Sequence, residues 1–259
     1  MTLETALFLV AIGLVGGAWN AIAGGATLFT FPALMSVGLP PVVANATNYL
    51  AMLPSNAAAL PAYRRELFGI GPAIWPLIVV SGLGAVAGSL LLLASGEALF
   101  ERLIPILILA ATGLFAFGDR FRRSMLGRLT QHGTGRLAYV ALFLFSIYGG
   151  YFGAGLGIVL LALVQLLGFG AFHVANSLKN LLATSFTILS ILVFGLGGIV
   201  AWPEAAVTML GSAVGGYLGA HFGRGVDERL LRIAVIAFGL VLSLVYVARY
   251  WLGTTFGAG

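Results

Sequence analysis

The sequence predicts an all-α protein embedded in a membrane: a polytopic helical bundle of two inverted repeats, each of about five helical segments. Three observations carry that expectation. Of 259 residues, 60% are hydrophobic and 8% are charged, where a water-soluble domain has about half and about a quarter. Apolar runs close to or beyond the roughly 18 residues needed to cross about 30 Å of hydrocarbon recur along the whole length, and mean hydropathy is +1.07. Finally, a polar stretch at 118–136 divides the chain into two halves of similar sequence.

Glycines, prolines and charge clusters mark ten apolar segments, at 4–20, 24–38, 41–63, 69–94, 97–117, 136–152, 155–170, 173–199, 202–222 and 227–252. The first carries Glu4 and no Lys or Arg ahead of its apolar run, so it reads as a mature helix and not as a signal peptide. In each half the first two segments are short and interrupted by glycine, the signature of a pair of broken or re-entrant helices, and the next three are long enough to span. Residues 119–135 read as a cytoplasmic linker between an N-terminal repeat, 1–118, and a C-terminal repeat, 136–259, which together form one membrane domain. Pro32, Pro54, Pro61, Pro72 and Pro76 read as kinks or helix ends, and the four tryptophans as an interfacial belt.

VANATNYLA, beginning at Val43, aligns with VANSLKNLLA, beginning at Val174, at an offset of 131, and each follows a glycine-rich stretch, GGAWNAIAGGA or GGYFGAGLG. Arginines cluster at 64–65, at 120–136 and at 224–232. All three clusters fall on one side if each half crosses an odd number of times, which inverts the halves relative to each other. The positive-inside rule makes that side the cytoplasm and puts both termini outside. Short, glycine-interrupted segments at equivalent positions of inverted repeats mark the midplane substrate site of secondary transporters.

The composition also excludes much. There is no cysteine, hence no disulfide and no thiolate chemistry, and three histidines far apart give no reason to expect a metal or haem, so no cofactor is expected. The 13 basic residues form no single patch, which argues against nucleic acid despite a pI near 9.9. No HExxH, GxSxG or paired carboxylates point to an enzyme. The expected partners are a small anion and the lipid bilayer, with a homodimer left open.

Lys179, the lone lysine, stands inside the segment 173–199. A cation there costs roughly 2.5–3.5 kcal/mol on insertion scales and therefore seeks a partner. None of the eight carboxylates falls mid-span, so the lysine either snorkels to the headgroups or meets an exchangeable anion. Asn176, Lys179 and Asn180 share a helix face at i, i+3 and i+4, and the repeat pairs Asn45 with Asn176 and Asn48 with Lys179. Two such faces meeting on a pseudo-twofold axis would enclose one anion, with amide donors adding no fixed charge; the alternative is interhelical hydrogen bonding alone. Gly24, Gly25 and Gly155 open the second short segment of each half, where free N–H groups cradle anions or where small residues simply let helices pack closely. Asn20 stands just before the first turn.

The stretches GGATLFTFPALMSVGLPPVVANATNYLA and YGGYFGAGLGIVLLALVQLLGFGAFHVANSLKNLLATS, followed by GGIVAW and GSAVGGYLGAHFG, resemble the TauE/SafE family of sulfite exporters, in order and over nearly the whole chain. That resemblance implies export of sulfite, sulfoacetate or related organosulfonates across a bacterial inner membrane. Ala23-Gly24-Gly25-Ala26 departs from the longer glycine run frequent in the family. An alternating-access exporter and an anion channel lined by the same polar residues both remain open at this point.

Overall fold

A computed structural model of the chain describes residues 1–22, 25–57, 60–129, 135–169, 172–222 and 228–252. Among them there are helices and no strand: α1 (Leu3–Ile22), α2 (Thr27–Ser36), α3 (Pro41–Ala57), α4 (Arg64–Ile70), α5 (Ile74–Leu129), α6 (Gly135–Tyr151), α7 (Leu156–Leu166), α8 (Phe172–Leu196), α9 (Trp202–Phe222) and α10 (Glu228–Tyr250), with short 3-10 turns before and after α4. Backbone amides in hydrocarbon have no water to bond, so a helix, which satisfies its own, is the natural result. Among the described residues, four helices are long and apolar enough to cross a membrane, α1 and α5 among them.

α5 is two helices in one. Gly96 adopts φ 66°, ψ 173° and breaks the helix. A Cβ on Gly150 would overlap the Ala85 carbonyl, and one on Gly155 would lie 3.2 Å from the Ala111 carbonyl oxygen. Ala85 and Ala111 would be about 39 Å apart in a straight helix at 1.5 Å per residue, so the limbs 74–95 and 97–129 fold back as a hairpin. The second limb continues to Leu129, so most of the expected linker 119–135 is helix and residues 130–134 lie outside the described residues.

The first helix, α1, is longer than its hydropathy suggested, while α6 keeps the 17 residues expected of it. α1 has 20 residues, about 30 Å, whereas α2 and α7 have 10 and 11, about half a bilayer. α2 folds back on α1, with Trp19 and Phe29 in edge contact at 5.6 Å.

Helices pack through glycine seams. Along α1 and α9, Gly13 faces Thr208, Gly211 faces Val10, Gly215 faces Leu14 and Gly219 faces Ala18, each with no room for a Cβ, and the register shows the two run parallel. Gly84, Gly88 and Gly150 hold the first limb of α5 parallel to α6 in the same way. By contrast, the helices that the expected sequence repeat would pair run antiparallel. Thr47 accepts from the Ala201 N–H at 3.0 Å, Tyr49 meets Phe194 edge to face and Thr184 donates to the Asn56 carbonyl at 3.4 Å, which sets α3 against α8. Ser243 donates to the Pro105 carbonyl and Trp251 to that of Arg102, which sets α10 against the second limb of α5. At the centre, Phe31, Phe100 and Phe152 interlock edge to face, all fully buried.

Candidate substrate site

The two breaks, between α1 and α2 and between α6 and α7, meet the same stretch of α5. Gly25 (φ 81°) lies against Phe115, where a Cβ would overlap the ring, and Gly155 (φ 75°) lies against Ala111 and Leu114. Positive φ is open to glycine and costs other residues about 1–2 kcal/mol, so the glycines are what let each chain reverse beside α5. Gly24 lies outside the described residues.

The break after α6 is pinned by side chains from the first half. Three successive carbonyls accept from them: Gly149 from the Tyr49 hydroxyl, Gly150 from Ser89 Oγ at 3.3 Å and Tyr151 from Asn45 Nδ2 at 3.0 Å. Tyr148 donates to the Ala154 carbonyl at 2.8 Å. These are carbonyls that a helix end leaves without intrahelical donors, and the clamp fixes where α7 begins. Asn45 is fully buried and its Oδ1 has no partner among the described residues.

Asn48, one turn along, faces the other short helix. Its Nδ2 donates to Thr27 Oγ1 at 3.2 Å and its Oδ1 accepts from Thr30 Oγ1 at 2.6 Å. The residue that the repeat pairs with it, Lys179, lies against the first turn of α7: a Cβ on Gly157 would sit 3.9 Å from Lys179 Cδ. There the hydroxyls are missing. Where α2 opens with Thr27 and Thr30, α7 opens with Leu156, Gly157 and Val159. The Lys179 side chain forms no hydrogen bond or ion pair among the described residues.

The first-turn amides differ too. In α2 the N–H groups of Leu28, Phe29 and Thr30 are taken up by the Gly25 and Ala26 carbonyls at 2.9–3.0 Å, whereas at the start of α7 the Leu156 N–H reaches the Gly153 carbonyl at 3.4 Å. The positive end of the α7 dipole and the Lys179 side-chain stem therefore meet at one turn.

The sequence-derived residues thus sort into two groups. Asn45, Gly155 and Lys179 gather at the α6–α7 break, with half-buried Asn180 beside Lys179 on α8 and Asn176, which has a partner of its own, one turn away. Asn48 closes the first turn of α2, and Asn20 Nδ2 ties α1 to α3 through Ser55 Oγ (2.9 Å) and Asn56 Oδ1 (2.8 Å). Tyr49, Ser89, Thr27 and Thr30 were not singled out in the sequence; Tyr49, i+4 from Asn45 on the same face, was the one with a readable signal.

The sulfite exporter TauE/SafE family model matches residues 9–246. A probable membrane transporter protein of Haemophilus influenzae is 35% identical over 92% of this chain and 93% of its own length, and the probable membrane transporter protein YfcA of Escherichia coli is 30% identical over 95% and 93%. A probable membrane transporter protein of a Sinorhizobium species is 26% identical over 95% and 96%. No solved structure matches the chain. A break pinned from the other half, a lone lysine lying against the first turn of a half-length helix and a family match over nearly the whole chain agree: the protein is a multi-pass membrane transporter belonging to the sulfite exporter TauE/SafE family.

Proposed function

We propose that the chain is a secondary transporter that carries a small sulfur-containing anion, such as sulfite, sulfoacetate or a related organosulfonate, out of the cytoplasm. The observation that carries this reading is Lys179, unpaired among the described residues, against the α7 first turn. A cation in that setting, at the positive end of a helix dipole, gains from an anion what neither gains from the other. Asn180 extends the donor set from α8, with Asn176 one turn away, and Asn45 presents its amide from α3.

Two features support alternating access by inverted repeats: repeat-related helices pack antiparallel, and each half places a half-length helix beside the same stretch of α5. With the arginine clusters on the cytoplasmic side, both termini are outside. A negative interior then favours anion exit by roughly 2.3 kcal/mol per charge per 100 mV.

The test is calorimetric titration of the purified protein with sulfite, sulfoacetate and taurine, beside Lys179→Ala. Saturable binding of one anion that is lost in the variant is the expected result. A variant that binds as tightly as the parent overturns the assignment to Lys179. In proteoliposomes, flux that saturates with anion concentration separates a carrier from a channel.

A further inference from the structure

We infer that the anion held at the α6–α7 break carries a hydrogen-bond donor of its own, an O–H or N–H close to its acid group, and that Asn45 Oδ1 accepts from it. The inference rests on the anion reading above and narrows it.

Asn45 is fully buried. Its amide orientation is settled by chemistry: only the N–H₂ end can face a carbonyl, and it faces that of Tyr151 at 3.0 Å. Oδ1 points away from that carbonyl and has no partner among the described residues. A buried amide oxygen without a donor is unfavourable, and such groups normally find one.

The side-chain donors around it are already engaged. The Tyr49 hydroxyl donates to Gly149, Ser89 to Ala85 and Gly150, and Tyr148 to Ala154, all carbonyls. Four other buried side-chain oxygens also lack partners among the described residues: Gln165 is at the far end of α7, Glu66 is in α4, Ser190 is late in α8, and Ser146 on α6 faces Gly84 on the first limb of α5. The equivalent region of the first half contrasts with this, since Asn48 Oδ1 accepts from Thr30 there.

A donor for Asn45 therefore has to arrive with the ligand. The oxygens of a fully deprotonated oxyanion are acceptors and repel Oδ1. Hydrogensulfite, or a sulfonate with a neighbouring hydroxyl or ammonium, presents its oxygens to Lys179 and the α7 amides and its donor to Asn45. Two contacts of opposite sense on the two sides of the Tyr151–Gly157 turn then select a monoanion with a donor over a dianion or a plain alkanesulfonate. A site built to bond a substrate hydroxyl discriminates against the analogue lacking it because its own group is left unpaired.

The experiment compares hydroxymethanesulfonate with ethanesulfonate, which have equal charge and nearly equal shape, at one pH on the purified protein. The expected result is about tenfold tighter binding of the hydroxyl compound, the effect of roughly one net hydrogen bond, and equal affinities in Asn45→Leu. Asn45→Ala serves if the leucine variant does not fold. Equal affinities in the parent overturn the inference, as does a preference that survives in the Asn45 variants. Binding of neither sulfonate overturns it too, and if sulfite and sulfoacetate also fail to bind, the anion reading falls with it.

Discussion

Replacing Gly153 by alanine tests whether the α6–α7 break is held by the geometry described above. Gly153 has φ 75°, and a Cβ there would lie 2.7 Å from the Tyr49 hydroxyl oxygen and 2.9 Å from the Gly149 carbonyl oxygen. The left-handed backbone costs an alanine about 1–2 kcal/mol. The methyl also forces apart the hydrogen bond between Tyr49 and Gly149, worth about 1 kcal/mol, for a total of about 2–3 kcal/mol. Tyr49→Phe alone loses that bond, about 1 kcal/mol, and leaves the ring carbon 3.3 Å from the new methyl, a tolerable approach. In the double variant the bond is lost once and not twice, so the cycle should show a coupling of about 1 kcal/mol. Thermal unfolding of the parent, both single variants and the double variant in detergent measures it. Strict additivity would refute the claim that the methyl acts through the Tyr49–Gly149 bond.

Lys179→Ala should abolish saturable anion binding, and hydroxymethanesulfonate should outcompete ethanesulfonate about tenfold in the parent, both read by calorimetry. Gly215→Ala places a methyl in the Leu14 carbonyl and 2.7 Å from its carbon, so α1 and α9 must separate by about 1 Å; overpacking of this kind costs about 1–3 kcal/mol. Gly113→Ala, with nothing within 4 Å of its new methyl, should melt no lower than the parent, and equal losses in the two would refute the seam. Glu97 Oε2 accepts from the Val42 N–H at 2.9 Å at the start of α3, so Glu97→Ala should lose about 1 kcal/mol of cap stability while Glu97→Gln, which keeps an acceptor, should melt closer to the parent.

Hydropathy and glycine placed the helices well where chain chemistry changes abruptly. The segment expected at 202–222 is helix α9, Trp202–Phe222, and the boundary expected between 94 and 97 is the turn at Gly96. Where chemistry changes without a breaker, the sequence misled: Arg120, Arg122 and Arg123 mark a membrane edge but form helices well, so α5 runs through them. At the site, Lys179 was legible because its charge is isolated in an apolar segment. The assignment of Asn48 to α2 was not, because it depends on how closely Thr27 and Thr30 approach from another helix. Nor could an offset of 131 reveal that Asn45 and Asn48, three residues apart, turn to different breaks.

That divergence bears on why two similar halves would hold one anion. At equivalent positions, Asn48 meets two threonine hydroxyls while Lys179 meets an apolar first turn, so one half closes its polar group internally and the other does not. Two lysines facing across the same stretch of α5 would repel each other in a low dielectric, and two asparagines would leave an anion without a countercharge. On the proposed anion reading, one of each would supply a single positive charge on a scaffold whose other half is already bonded, which suits a substrate carrying one negative charge.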